Sequence, residues 1–465
     1  MPRARGSGRN SDAAKGARSI YMDAVEFIHG VEPDTIPSDV KRHAKRFLLD
    51  LIGVAAAGSK LDASRIMRET ALQLFAAPQQ GSRLFFDGRS ASIAGAALAN
   101  AMTIDSFDAH DGHPLTKGHA GCGVLAGLLA FLESRMPENA KPRSGADMLA
   151  DLIVGYEIAI RSGIALHGTV ADYHTSGAWV ALGVAAVGVR TMGLPHGQTR
   201  HALGIAEYNG PRSQMMRCIE HPTMVKDGSG WGAMVGATAA VLAGKGFTGA
   251  PAITTEREDV SEWWSDLGIR WRLSEQYIKA YPVCRWAQPA MEAAAALRRG
   301  HSFNLGAIEG VTIRIFREAS KLAARSPRTT EEAQYSLPFP VAALLVRGQV
   351  GPAEIDGAAL RDPELLRLSN LITLVEASEY SSRFPAERWA DATIVLKNGE
   401  RLVSQPAVAR GSAENPLSDQ EISAKFHMLM RASGQQSRAA EIEDMVMSID
   451  KLTASAHLVD SIMAR

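Results

Sequence analysis

Seven of the fifteen residues from Asp105 to His119 can carry charge, and three of them are histidines (His110, His113 and His119). Imidazole beside carboxylate is the usual equipment for moving protons near neutral pH. The stretch lies between two apolar runs, Ala94–Ile104 and Cys122–Leu132, that read as buried helices. Charge carried into a core must be paired, or its pKa shifts. A polar loop with both ends tethered in a core is therefore a candidate catalytic site. The spacing His110-x-x-His113, with Asp108 and His119 nearby, also supplies enough ligands for an open metal site of the kind a metal-dependent hydrolase uses. Gly112 and Pro114 argue against that use, because such histidine pairs usually sit on a helix.

Helices must position this loop. From about Ser19 to Lys245 the pattern is almost wholly helical. Val40–Ala57 is apolar along one side and stops at Gly58, which reads as a C-cap. Further helices read at Ala146–Leu166, Ser176–Met192, Gln198–Ala206 and Trp231–Gly244. After about Arg272 the character changes. Val311–Phe316 and Ala392–Leu396 alternate as strands, and Lys397-Asn398-Gly399-Glu400 turns the chain into Arg401–Val403. Helices at Pro338–Val346 and Asp362–Leu371 lie between them, and Asp419–Ala432 and Ala439–Ser455 return to helix. The expected fold is mainly α: a large all-helical domain with an inserted smaller α+β lid domain. Its parts are a flexible N-terminal tail (1–18), the helical domain (19–272 plus 410–465) and the lid (273–409).

Composition narrows the function. Fifty basic residues balance fifty acidic ones, so there is no nucleic-acid footprint and no general attraction to acidic membranes. Hydrophobic residues make up 46% and aromatic residues only 6%, which suits closely packed helices. Three scattered cysteines without a CxxC pair argue against a disulfide scaffold or a thiolate zinc site and point to a reducing, cytoplasmic setting. The basic opening residues lack the apolar core of a secretory signal. No run reaches the ~18 apolar residues of a membrane-spanning helix.

The chain also resembles the MmgE/PrpD family, whose members include 2-methylcitrate dehydratase, cis-aconitate decarboxylase and an iminodisuccinate epimerase. The likeness runs from about Arg46 to Leu429. It rests on Leu49-Asp50-Leu51-Ile52-Gly53-Val54, the Asp108–His119 loop, Tyr173-His174-Thr175-Ser176-Gly177 and Met224-Val225-Lys226, followed by Lys279-Ala280-Tyr281-Pro282-Val283-Cys284-Arg285, Tyr335-Ser336-Leu337-Pro338 and Ala424-Lys425-Phe426. No one of these is specific, but their shared order is. The resemblance implies a homodimer, an active site between the two domains, and catalysis without metal or organic cofactor. It marks Asp108, His119, His174, Lys226 and Lys279 as catalytic.

The substrate so implied is a small di- or tricarboxylate that loses or exchanges a proton next to a carboxylate. Arginine suits a bidentate carboxylate clamp and lysine a point-charge contact. Arg285 is the expected clamp, with Lys226 and Lys279 beside it. His174 precedes a helix starting near Ser176, whose N-terminus favours anions, so Thr175 and Ser176 are expected to grip a carboxylate. His113 is a further expected contact. His174 or His119 would take the proton and the Asp108 loop would supply the acid, under a lid that excludes water. His110 and Asp111 have no fixed role, Lys117 is unassigned, and Cys284, with no base beside it, reads as packing. Gly112, Ala120 and Thr175 depart from the residues usual in the family, which ranks dehydration first, epimerisation second and decarboxylation third. Outside this class stand the metal-dependent hydrolase and a non-catalytic carboxylate-binding protein.

Overall fold

Apolar runs studded with alanine and glycine let helices approach closely, and a helix apolar all round belongs in a core. The first half of the chain folds on that basis. The computed structural model describes residues 23–77, 81–134 and 142–465; the tail expected at 1–18 lies outside the described residues. Seven helices carry the architecture of this half: α1 (Ser38–Gly58), α2 (Ile93–Asp105), α3 (Gly121–Ser134), α4 (Gly145–Thr169), α5 (Gly177–Met192), α6 (His196–Asn209) and α7 (Ser229–Gly244). At their centre α5, buried from Gly177 to Val189, touches α3, α4, α6 and α7. Gly58 departs from expectation. It is the last helical residue of α1, and a Cβ there would lie 1.9 Å from the Thr103 carbonyl oxygen. Glycine is needed at that position for the approach of α2, not as a cap.

The second part is a mixed sheet with helices against it. It contains α8 (Gln288–Gly300), β1 (Ile308–Ile315), α9 (Pro338–Arg347), α10 (Pro363–Asn370), β2 (Ile372–Glu376), β3 (Trp389–Leu396), β4 (Arg401–Val403) and β5 (Ala407–Val408). The strand order is β2-β1-β3-β4, with β5 also on β3. The pair β1–β2 is parallel and β1–β3 antiparallel. Alternation in β1 turns Val311, Ile313 and Ile315 inward against α8. The edge strand β2 buries only Ile372 fully, so it carries no alternation to read.

The expected helix Ala439–Ser455 is broken. A helix ends at Met447, a tight turn spans Ile449–Lys451, and a new helix runs Ala456–Met463. The break frees the Leu452 carbonyl to accept the Gly145 N–H at 2.9 Å, which ties this segment to the start of α4. The helix α11 (Asp419–Ala432) lies against α1. There the Lys425 Nζ sits 2.6 Å from Asp50 Oδ1 and 2.7 Å from the Ala109 carbonyl. Two short stretches far apart in sequence thus meet under the polar loop. Lys425→Met strands the buried Asp50 carboxylate and is expected to cost about 3–5 kcal/mol; urea unfolding of the variant checks this, and Asp50→Leu in the same chain should return much of the loss.

The fold is mainly α, a large helical domain with a smaller α+β domain. No helix among the described residues is long and apolar enough to cross a membrane. Cys122, Cys218 and Cys284 are all free thiols.

Candidate active site

The polar loop leaves α2 at Asp105 and enters α3 at Gly121, with both ends buried. It is fixed from several sides. Gly112 exchanges backbone hydrogen bonds with Tyr277 at 3.1 and 2.8 Å. A Cβ on Gly112 would lie 2.3 Å from the Tyr277 hydroxyl oxygen, so this residue must be small for the tyrosine to cover it. Asp111 accepts from the Gly121 N–H at 3.2 Å and from the Tyr156 hydroxyl. Burial pushes its carboxyl up to about 7, and its role is that of a peg. Gln334 holds the loop from the α+β side. Its Oε1 accepts from the Asp108 N–H and from Lys226 Nζ, both at 2.8 Å, and its Nε2 donates to the Ser106 carbonyl at 3.2 Å.

A narrow cleft opens beside this loop. Its polar wall includes Asp108, Lys117, His119, Lys279, Arg285 and Arg388; Met215, Ile219 and Trp286 form an apolar wall. Lys279 is fully buried with its Nζ 2.7 Å from Asp108 Oδ1. Burial would raise the Asp108 carboxyl, but Lys279 and Lys226 outweigh it and hold Asp108 well below the usual carboxylate range. Asp108 is therefore ionised and cannot be the acid that the sequence suggested. Burial also works against the charge on Lys279, yet Asp108 more than offsets it and the ammonium is retained.

His119 is driven the other way. Burial first, then the charge of Lys279, take it down to about 3, so its imidazole is neutral at physiological pH. Its Nδ1 meets the Asp111 carbonyl, which can only accept, so the ring proton sits there and Nε2 carries the lone pair. That Nε2 lies 3.5 Å from Asp227, whose carboxyl burial pushes upward.

The remaining cations have no acidic partner. Arg285 donates to the carbonyls of Arg410 and Ala409 at 2.6 and 3.3 Å and lies over the Tyr277 ring at 4.5 Å. Arg388 donates to the Pro114 carbonyl at 3.2 Å, and the Lys117 Nζ sits 3.9 Å above the Tyr173 ring. Among the described residues, the ion pair of the cleft is Lys279–Asp108, while the neutral ring of His119 lies against Asp227. Lys117 and Lys226 both hold left-handed backbone, φ 53° and 51°, a conformation that costs about 1–3 kcal/mol and tends to persist at functional sites. Burial, and secondly Arg388, lower Lys117 to about 8. Its charge is present below that pH and lost above it. For an anionic substrate, kcat/KM is expected to fall as pH rises through about 8, and Lys117→Arg should move that limb to higher pH in the same pH–rate measurement.

Residues 23–268 match the MmgE/PrpD N-terminal domain, and residues 281–451 match the MmgE/PrpD C-terminal domain. The chain belongs to the MmgE/PrpD family. It is 25% identical over 488 residues to a cis-aconitate decarboxylase of Aspergillus terreus (strain NIH 2624 / FGSC A1156), across 97% of this chain and 96% of that protein. It is 24% identical over 471 residues to the cis-aconitate decarboxylase of Mus musculus, across 94% and 91% of the two chains. The cis-aconitate decarboxylase-like protein oryM of Aspergillus oryzae (strain ATCC 42149 / RIB 40) is 23% identical over 473 residues, across 93% and 95%. Family and relatives point to an enzyme of the lyase type.

Of the residues that the MmgE/PrpD resemblance or the sequence marked, Asp108, His119, Lys279 and Arg285 line one cleft. Lys226 reaches it indirectly, through Gln334 and across the Tyr335 ring at 4.6 Å. His174 is not among the lining residues. The helix before it ends at Thr169, the chain turns back, and the His174 N–H donates to His167 Nε2 at 3.0 Å while the two rings stack. Thr175 and Ser176 do not line the cleft either. The Ser176 Oγ accepts the His119 N–H at 2.9 Å and donates to Asp227 at 3.0 Å, and the Gly177 N–H is bonded to the Asp227 carbonyl. The start of α5 thus positions His119 and Asp227. His113 faces away toward Glu275 at 3.4 Å.

That placement also splits the His110–His113 pair. Asp108, His110 and His119 do bring ligand atoms within 4.8 Å of one another. Lys279 already occupies one Asp108 oxygen, however, and the ammonium of Lys226 adds to the field at that carboxylate. A divalent cation would meet two positive charges at close range, so the donor set does not fit one. Residues that the sequence reading missed are Arg388, Tyr277, Asp227 and Gln334. Asp227, Gln334 and Tyr277 lie beside the segments Met224–Lys226, Tyr335–Pro338 and Lys279–Arg285 that carry the resemblance, whereas Arg388 has no marked neighbour.

Proposed function

We propose that this protein is a lyase that acts on a small di- or tricarboxylate by proton transfer next to a carboxylate, with residues 273–409 as the part that covers the cleft and the homodimer as the working form. The observation that carries the reading is the set of cations, Arg285, Arg388 and Lys117, that face a neutral imidazole across the cleft without carboxylate partners of their own. Arg285 is buried and Arg388 and Lys117 are half-buried, and charge of this kind left uncompensated is most economically explained by a ligand that compensates it. Several cations call for several carboxylates.

In this reading Arg285, Arg388 and Lys117 hold the substrate. A bound polyanion raises the affinity of His119 for a proton, so the base strengthens only once substrate is in place. The Nε2 of His119 takes the proton from the carbon beside a carboxylate. Lys279, charged and rigidly paired, stabilises the enediolate-like charge and donates to a departing hydroxyl. For loss of carbon dioxide the same pair runs in the other sense: the cations hold the retained carboxylates, and a protonated His119 or Lys279 returns a proton to carbon. The relatives named cis-aconitate decarboxylase favour keeping this outcome beside dehydration. Epimerisation needs a donor and an acceptor on opposite faces of one carbon. His119 is the one imidazole lining the cleft among the described residues, which supports a lyase over an epimerase.

The test is NMR in D₂O with citrate-, 2-methylcitrate-, malate-, aspartate- and cis-aconitate-type acids. The expected result is loss of water or carbon dioxide from one of the tri- or dicarboxylates, with deuterium entering at one carbon. Absence of both turnover and exchange across the panel would overturn the reading in favour of a non-catalytic binding protein.

A further inference from the structure

Behind the extended segment Gln276–Lys279 lies a second cavity, which the lyase mechanism does not use. Side chains alternate along that segment: Tyr277 and Lys279 face the cleft, while Gln276 and Ile278 face the second cavity. Arg42, His43 and Arg46, from the first turns of α1, form its basic wall. Arg46 is paired with Asp419 at 3.0 Å, whereas Arg42 and His43 have no ion pair among the described residues. Gln276 is 3% exposed, and both of its amide atoms lack a hydrogen-bond partner. The Ser274 Oγ is buried and unpartnered as well. Buried polar groups are almost always satisfied in folded proteins, and each orphan calls for an explanation.

We propose that this cavity is a binding site for a small hydroxycarboxylate, distinct from the catalytic cleft. The exposed Arg42 supplies positive charge for a carboxylate, with Arg46 behind it, while burial and these two arginines lower the pKa of His43, which offers a ring N–H. Gln276 offers an N–H₂ to a carboxylate oxygen and a carbonyl oxygen to a hydroxyl, and Ser274 can do either. A ligand carrying both an anionic group and a hydroxyl satisfies all of these atoms at once. The site is coupled mechanically to the chemistry. Its floor is the backbone that carries Lys279, and the Ile278 N–H is bonded to the Gly411 carbonyl at 2.9 Å. Gly411 directly follows Ala409 and Arg410, whose carbonyls hold Arg285. Filling the cavity therefore fixes two cations of the cleft, and the coupling is reciprocal: ligand in either site tightens the other.

The inference concerns binding and stands whether or not the lyase reading does. Calorimetric titration of the full-length protein with malate, and with succinate, which differs from it only in lacking the hydroxyl, tests it. Malate binding is expected to persist in Arg388→Gln, or in Lys117→Gln should the first variant fold poorly, because neither side chain is bonded to the 409–411 segment that lines the second cavity. It is expected to weaken at least tenfold in Arg42→Gln and in Gln276→Leu, and succinate should bind the parent at least tenfold more weakly than malate. Gln276→Leu has a second readout. Replacing an unsatisfied buried amide by an apolar group of similar size removes a desolvation penalty, so its Tm without malate should rise. Loss of all malate binding in the cleft variants, or binding unchanged by Arg42→Gln and Gln276→Leu, would overturn the proposal and leave the cavity holding solvent only.

Discussion

Replacing His119 by asparagine is expected to lower kcat by about 10²–10⁴-fold, the usual contribution of a well-placed general base, with the fold intact. The asparagine amide can still donate to the Asp111 carbonyl that now meets Nδ1, so the loop keeps that tether. His119 is neutral at physiological pH, so its loss strands no charge. Deuterium exchange at the substrate carbon should disappear in parallel with turnover, because both depend on the same Nε2. Circular dichroism and Tm would report a folded chain. Turnover and exchange within about threefold of the parent would remove His119 from the chemistry.

Lys279→Met should be the more damaging change, and for two separable reasons. The variant loses the cation that stabilises developing charge, and it leaves the 1%-exposed Asp108 carboxylate without its partner at 2.7 Å. Breaking a buried ion pair from one side typically costs about 3–5 kcal/mol. Lys226 shares Asp108's field and will soften that loss, since it already contributes to holding the carboxyl down. Adding Asp108→Asn to Lys279→Met should recover most of the stability and none of the activity. A double-mutant cycle on urea unfolding, run beside the activity assay, separates the two contributions. A single variant as stable as the parent would show that the pair is not what keeps Asp108 charged.

Much of this arrangement is legible in the order of the amino acids alone. The apolar runs flanking Asp105–His119 announce a polar loop held in a core, and the loop does line the cleft through Asp108, Lys117 and His119. The helical and strand periods mark most elements to within a few residues. The failures have a common physical cause. His174 reads as functional because it precedes a helix, but its partner is His167 on the last turn before the reversal, a contact made by chain geometry and invisible to spacing. Ser176 looks like an anion-gripping residue; tertiary contacts instead give its hydroxyl to His119 and Asp227. Arg388 lies just before β3 in an irregular stretch, and Gln334 on a one-turn helix, so neither has a periodic neighbour to mark it. The strand β2 is hidden by its exposure, since a strand that buries one residue has no alternation.

Two halves of the chain contribute differently to the cleft. The imidazole of His119, with Asp227 behind it, and the Asp108 carboxylate come from the first half; Lys279, which pairs with Asp108, and the arginines Arg285 and Arg388 come from the second. Only Lys117 crosses this division. Evolution can therefore retune which acid is captured by exchanging arginines around the sheet, while the imidazole and its supports stay as they are. A lineage built this way would diversify in diet sooner than in reaction, and swapping second halves between homologues that keep a lysine at position 279 should transplant substrate preference with the bond-breaking step unchanged.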